Sequence, residues 1–300
     1  MADLAKAITI INYKGGVGKT TISLQLAAGL ATLYKKRVLL LDLDPQCSLS
    51  VSALEEESWI YHIENRGSIR SILSSYYDGK VILDKDWIAQ SFLATQDGQL
   101  DLVPCHLDLP DYEMRLVYER PSHISEASDF EKSRHRILAD AIAPYKSQYD
   151  FILFDCPPNI YFVSRNAILA SDYYLVPTIP DFLSCYGIPF IQNHITTLMN
   201  DYLPVKSRAK NLGILRNRVR RSGSKLVNEH QRQSKQIDEM FPGLLYQSCI
   251  QDRIGISELM NTRKNLYTDT SNKLHPSRIE FESFVAETLR RIEQLTQNES

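Results

Sequence analysis

Between Ile11 and Gln25 the chain reads INYKGGVGKTTISLQ. Residue types in this stretch suit the chemistry of phosphate. Gly15, Gly16 and Gly18 carry no Cβ, so backbone N–H groups can turn inward and form a nest for phosphate oxygens. A helix opening directly behind them adds its positive N-terminal end. Lys19 sets a cation against the β- and γ-phosphates, and the Thr20 hydroxyl suits a magnesium ligand. The standard pattern G-x-x-x-x-G-K-[ST] wants a glycine at position 13. The chain has Tyr13 there, followed by Lys14, a lysine that the pattern does not ask for.

Carboxylates recur where such a loop would need them. LLLDLDPQCSLS (39–50) ends a strand-like run with Asp42 and Asp44, and alternation along a strand would put both on one side. FILFDCPPN (151–159) is four apolar residues followed by Asp155, a layout that places an acid at a strand end to hold a metal ion. Cys156 follows it with no histidine nearby in sequence, so it reads as a small residue and not as a nucleophile.

These residues must be positioned by a scaffold, and the hydrophobic pattern supplies one. AITIIN (7–12) reads as a buried strand, residues 19–36 as a helix with Ile22, Leu26, Gly29, Leu30 and Leu33 at helical spacing, and RVLLLDLD (37–44) as the next strand. YDFILFD (149–155), DYYLVPT (172–178) and NLGILRN (211–217) repeat the strand signal, separated by helical patterns near 159–170 and 181–200. Residues 276–295 read as a closing helix, and TQNES at the end as frayed. Alternation of this kind predicts an α/β fold, a mostly parallel sheet with helices on both faces. Residues 52–100 are less regular and read as short helices inserted beside the core.

The bulk numbers bound the partners. The chain has 300 residues, 43% hydrophobic and 23% charged, with a formal net charge of −2. Any contact with nucleic acid must therefore come from a local basic patch. The five cysteines show no C-x-x-C spacing, which argues against a zinc ribbon, an iron–sulfur site or a disulfide framework and fits a reduced, cytoplasmic setting. No signal peptide is visible, and the apolar runs fall far short of the roughly 20 residues that span a bilayer.

The string Lys14-Gly15-Gly16-Val17-Gly18-Lys19-Thr20 resembles the deviant Walker A loop of the ParA/MinD superfamily of P-loop ATPases. The resemblance implies a single P-loop NTPase domain over 1–300, with the insertion at about 52–100, using ATP and Mg²⁺. In that family the first lysine reaches across a dimer interface to phosphates bound by the other subunit. Residue by residue, nucleotide contacts fall on Lys14, Gly15, Gly16, Val17, Gly18, Lys19, Thr20 and Thr21. The catalytic set is Lys14, Lys19, Asp44 and Asp42, with Asp44 orienting or activating the attacking water and Asp42 supporting it. Thr20, Asp155 and Asp44 hold the metal, directly or through water. VPTIPDF (176–182) and LVPCHLDLPDYEMRL (102–116) also resemble family segments where a strand end leads into a helix. Asn217 matches an adenine-contacting asparagine, and no guanine-type N/T-K-x-D motif is present, which favours ATP. IQDRIGISEL (250–259) is similar to a late loop bordering adenine and carries Asp252, although Gln251 stands where the family has proline.

Output is a separate question from the ATP site. RNRVRRSGSK (216–225) packs Arg216, Arg218, Arg220, Arg221 and Lys225 into ten residues without an acid, continued by Arg232 and Lys235. It is either a loop for sequence-independent contacts to DNA phosphates or a solvated loop with scattered ion pairs. ParA-type partition ATPases bind DNA non-specifically through basic residues in their C-terminal half. By that resemblance the chain is expected to be a homodimer in the ATP state that binds DNA non-specifically and positions DNA or other cargo with a ParB-like partner. It would be associated with the nucleoid, and site-specific operator binding is not expected. The alternative is a MinD-like membrane ATPase, for which the acidic residues Glu280, Glu282, Glu287, Glu293 and Glu299 at the C-terminal end are unsuited.

Overall fold

Runs such as VLLL and FILF are apolar at consecutive positions, so they can be buried only in a sheet covered on both faces. The computed structural model describes residues 4–93, 97–260, 265–268 and 274–297. In chain order it begins with β1 (Lys6–Ile10), α1 (Lys19–Tyr34) and β2 (Arg37–Asp42). Three short helices follow, α2 (Ser48–Leu54), α3 (Glu56–Asn65) and α4 (Ile69–Tyr77), then β3 (Gln99–Val103). Next come α5 (Leu109–Tyr118), α6 (Ala127–Ser133), α7 (Ile137–Ile142), β4 (Phe151–Asp155), α8 (Phe162–Ala170), β5 (Tyr173–Thr178) and α9 (Phe182–Tyr202). The last third holds β6 (Lys210–Val219), a small hairpin of β7 (Arg221–Ser222) and β8 (Lys225–Leu226), α10 (Asn228–Met240), β9 (Leu245–Gln251), α11 (Ile254–Met260) and α12 (His275–Gln297).

The main sheet has seven strands in the order β3-β2-β4-β1-β5-β6-β9, and every neighbouring pair is parallel. Strand alternation splits the core in two. Leu39, Leu41, Ile152 and Phe154 pack with Ile72, Leu138, Val163, Ile188 and Ile237 on one face. Val38, Leu40, Leu153, Ile8 and Ile10 pack with Leu26, Leu30, Leu49, Phe281 and Phe284 on the other. On this second face α1 and α12 approach closely, because a Cβ on Gly29 would lie 2.7 Å from Val285 Cγ2 and from the Tyr267 hydroxyl.

The expected parallel sheet with helices on both faces is the one found. Two features differ from the sequence reading. Leu245–Gln251 forms an edge strand that no strand signal predicts, running into the first two residues of the 250–259 loop, and the basic stretch turns through a two-stranded hairpin. Of the tail expected to fray, Thr296 and Gln297 belong to α12, the Thr296 hydroxyl bonding that of Tyr173 at 3.1 Å; residues 298–300 lie outside the described residues.

Candidate nucleotide-binding site

β1 lies between β4 and β5, so the chain leaves its C-terminal end at the point where strand order reverses, where open α/β sheets bind ligands. Residues 11–18 fill that crevice. Gly16 (φ 73°) and Gly18 (φ 83°) take left-handed backbone angles that side chains disfavour. Gly18 caps α1 with no side chain over the helix end, so the first N–H groups stay open. Neighbouring strands grip the loop. Asn12 donates through Nδ2 to the Pro177 carbonyl at 2.7 Å and accepts from the Lys14 N–H at 2.9 Å. Asn217 Nδ2 donates to the Val17 carbonyl at 2.7 Å, and a Cβ on Gly18 would collide with it at 2.3 Å. Arg218, itself at φ 52°, donates through Nη1 to the Gly16 carbonyl at 3.0 Å and through Nε to Asp252 Oδ1 at 3.2 Å.

A cleft of about 360 Å³ opens over the loop, lined by Gly15, Gly16, Gly18, Lys19, Thr20, Thr21, Asp44, Gln46, Ser48, Ser52 and Pro158. Lys19 is buried; burial lowers its pKa while Asp155 and Asp44 draw it back up. Asp155 is fully buried at the end of β4, and its Oδ1 accepts from the Ser23 hydroxyl at 2.8 Å. Burial raises its pKa to about 6 against the opposing pull of the Ser23 and Thr20 hydroxyls and Lys19. Its Oδ2 has no hydrogen-bond partner. A buried carboxylate oxygen left unpaired beside a threonine hydroxyl, with Asp44 on the same cleft, is an all-oxygen donor set that fits Mg²⁺.

Asp42 and Asp44 both lie near Asp155, but only Asp44 lines the cleft. β2 ends at Asp42, so alternation does not carry on to Asp44. Asp42 is fully buried, and its carboxylate accepts from Ser50 N (2.9 Å), Ser50 Oγ (2.6 Å) and Asp44 N (3.2 Å). Burial, then the nearby Asp155, raise its pKa to about 8. It holds the turn that presents Asp44, while Asp44 itself lines the cleft and accepts from the Gln46 N–H at 3.0 Å.

Lys14 is absent from the cleft lining. Its ammonium pairs with Asp181, which also caps α9 by accepting from the Ser184 N–H at 2.9 Å. Burial pushes the Asp181 carboxyl up, but the bonds from Lys14 and Ser184 outweigh it and hold the pKa below the usual value. The Tyr13 hydroxyl, in the place of the missing glycine, bonds His194 on the same helix. Sequence reasoning passed over Asp181, although its place between Pro180 and a helix is an N-cap signal.

The basic stretch is divided. Arg216 is half-buried and turns inward, its Nη2 donating to the carbonyls of Tyr246 (2.9 Å) and Gln247 (3.1 Å). Arg218 serves the phosphate loop as described. Arg220, Arg221 and Lys225 are exposed on the β7–β8 hairpin, with Arg221 Nη1 donating to the Ser224 carbonyl at 2.8 Å. Arg232 and Lys235 on α10 pair with Glu229 and Glu239. Of the five cations, Arg216 is turned inward, Arg218 is exposed but paired with Asp252, and Arg220, Arg221 and Lys225 are exposed without a carboxylate partner among the described residues.

Comparison with known proteins matches this arrangement. A family model described as "AAA domain" matches residues 5–206. A Pseudomonas putida uncharacterized protein is 30% identical over 85% of this chain and 84% of its own length. The sporulation initiation inhibitor protein Soj of Bacillus subtilis is 31% identical over 65% of this chain and 69% of its own. The chromosome partitioning protein ParA of Myxococcus xanthus is 31% identical over 62% and 56%. Among solved structures, a Cyanothece McdA–ATP complex superposes with a TM-score of 0.75 at 18% identity, covering 96% of this chain and 97% of that one. Cobyrinic acid a,c-diamide synthase from Mycobacterium smegmatis, with ADP and magnesium bound, gives 0.70 at 20%, covering 97% and 96%. No helix among the described residues is long and apolar enough to cross a membrane.

Proposed function

The chain belongs to the ParA-type ATPases of the ParA/MinD superfamily, and from that premise we propose that it is an ATP-operated dimer that binds DNA non-specifically and positions a cargo. The observation that carries the reading is Lys14. It flanks the cleft but turns out of it to Asp181, which suits a lysine whose target is phosphate bound by a second copy. Beside it, Phe182, Leu183, Tyr186 and Phe190 expose an apolar stripe on α9, the kind of surface that a partner copy would cover.

In this reading the N–H groups of residues 15–20 cradle the phosphates and Lys19 neutralises them. Asn217 and Arg218 fix the loop on which they lie, and Asp252 holds Arg218. Asp42 positions the turn that carries Asp44, and Asp44 orients the attacking water. Thr20 and Asp155, with Asp44 directly or through water, would hold Mg²⁺, which supplies charge neutralisation on the phosphates. Lys14 completes the site only when two chains meet, so hydrolysis is slow in the separate chain and is stimulated by a ParB-like partner. Arg220, Arg221 and Lys225 contact DNA phosphates, which places the chain on the nucleoid in the cytoplasm.

The test is binding to random-sequence duplex DNA with ATP, with ADP and without nucleotide, at two salt concentrations. A binding increment that appears with ATP, weakens with salt and is lost in the triple variant R220E/R221E/K225E is expected. An ATP state that binds no better than the ADP state sinks the switch.

A further inference from the structure

Glu113, on α5, is a buried carboxyl group outside the cleft lining. Among the described residues it has no ion pair, and its one hydrogen bond is accepted by Oε1 from the Val163 N–H at 2.9 Å. Removing a carboxyl group from water is unfavourable unless other partners replace that water. Leu109 and Leu116, one turn to either side on α5, are apolar and join the core. A residue that only filled space at position 113 would do the same.

The bond joins two helices. Val163 is the second residue of α8, whose own N-cap, Tyr161, lays no side chain over the helix end. Glu113 supplies an acceptor there from α5. Residues 156–161 link Asp155, at the end of β4, to α8, and Pro158 among them lines the cleft with Asp44. The start of this stretch is tied to β1, where the Cys156 N–H donates to the Ile10 carbonyl at 3.2 Å. Two further bonds are local. Asn159 Oδ1 accepts from the Tyr161 N–H at 3.1 Å, and Arg165 Nε donates to the Ile160 carbonyl at 3.3 Å. They bind the stretch to the first turn of α8, and Glu113 fixes that turn to α5. Asn166, further along α8, accepts from the Leu138 N–H of α7 at 3.2 Å, so loss of the Glu113 bond releases the first turn and not the helix.

The approach to α5 is anchored at the other carboxylate turn. The Cys105 N–H donates to Ser50 Oγ at 2.8 Å, and Ser50 Oγ donates to Asp42 at 2.6 Å. Asp42 holds the turn that presents Asp44. The stretch from Cys105 to Glu113 therefore runs from the Asp44 turn to the Pro158 wall.

We propose that Glu113 is a positioning residue for ATP hydrolysis: through Val163 it fixes residues 156–161 relative to the turn that carries Asp44. This role rests on the ATPase reading above. The phosphates are cradled by residues 15–20, to which Glu113 makes no hydrogen bond, so ATP binds as before when the bond to Val163 is lost. What shifts is the wall beside the attacking water, and misplacement there is felt in the transition state.

The experiment is steady-state ATP hydrolysis by the full chain, at a concentration where the rate per chain has levelled off, with a thermal melt of each variant. Glu113→Leu and Glu113→Met fill the space without an acceptor. Each stays folded at the assay temperature, lowers kcat about tenfold or more and keeps the KM for ATP within about twofold. Glu113→Gln keeps an acceptor at the same reach and holds kcat within about twofold of the wild type. Wild-type kcat in a folded Leu or Met variant overturns the proposal, since a glutamate that only packs would behave in that way. A KM that rises while kcat holds overturns it, and so does a Gln variant as slow as the Leu variant. Melting of both apolar variants below the assay temperature overturns it too, because Glu113 would then hold the fold and not the wall. Lys19→Ala reports on the cleft separately. A wild-type chain without hydrolysis, or a Lys19→Ala variant at the wild-type rate, removes the ATPase reading and this role with it. Loss of hydrolysis in Lys19→Ala beside an unaffected Glu113 series removes this role alone.

Discussion

At the scale of residues, the basic stretch shows how contiguity in sequence misleads about surface. Five cations in ten positions read as one patch, but Arg216 turns inward to the carbonyls of Tyr246 and Gln247 and Arg218 pairs with Asp252 beside the phosphate loop. Arg218 is the residue whose role changes most. Its guanidinium joins the Gly16 carbonyl to Asp252, so it supports the phosphate loop from below. Arg218→Ala should raise the KM for ATP about fivefold, the equivalent of about 1 kcal/mol for bonds of this kind in a half-exposed setting. It should leave the salt dependence of DNA binding unchanged. Steady-state kinetics beside a DNA salt titration decide this: a normal KM with a flattened salt slope would return Arg218 to the DNA surface. The phosphate loop itself was legible because glycines, lysine and threonine at fixed spacing have few other uses. Asp181 was not, since nothing in a linear reading says that a helix-capping aspartate will lie within reach of Lys14.

The elements were legible wherever both faces of a strand are apolar. β2, β4 and β5 are buried along almost their whole length, and the hydrophobic runs announce them. β9 was missed because LYQSCIQ is an edge strand, half polar, held by side chains of α12. Glu287 accepts from the N–H groups of Gln247 (2.9 Å) and Ser248 (2.8 Å) and from the Ser248 hydroxyl (2.7 Å), and it pairs with Arg291 at 3.1 Å. Arg291 in turn donates to the carbonyls of Leu212 (3.1 Å), Gly243 (3.1 Å) and Leu245 (2.7 Å). Such a clamp is tertiary, so propensity cannot signal it. Burial pushes the Glu287 carboxyl up, but the bonds from Ser248, Gln247 and Arg291 outweigh it and leave the pKa below the usual value. A group whose folded pKa is depressed stabilises the fold above its unfolded value, about 4.3, and that contribution is lost as pH falls through the folded value. Glu287→Gln should cost about 3 kcal/mol at neutral pH, since it leaves Arg291 without its charge partner. The gap between wild type and variant should narrow as pH drops below about 4. Denaturant melts at pH 7 and about pH 3 test both statements, and a gap that stays constant between them would remove Glu287 from the clamp.

For the whole molecule, the decisive property is whether one chain suffices. Lys14 is held by Asp181 within its own chain, and the apolar stripe on α9 begins at the next residue, Phe182. If Lys14 must leave Asp181 to reach phosphate on a second copy, the ion pair opposes dimer formation by whatever it is worth. Both side chains are 32% exposed, so the pair is worth at most about 1 kcal/mol. The ATPase rate per chain should therefore rise with chain concentration and level off as dimers saturate. Asp181→Asn removes the charge but keeps a side chain that can cap α9. Because each of the two chains gives up one ion pair, it should move the half-maximal concentration down about four- to twenty-five-fold and leave the plateau near the wild-type rate. Lys14→Ala should stay at the low basal rate at every concentration. Rates measured across a hundredfold range of chain concentration, beside sedimentation with a non-hydrolysable ATP analogue, separate the possibilities. A rate per chain independent of concentration in the wild type would mean that each cleft works alone and that Lys14 acts where it stands, beside Asp181. A rising rate with no shift in Asp181→Asn would keep the dimer but show that the pair with Asp181 is too weak to restrain it.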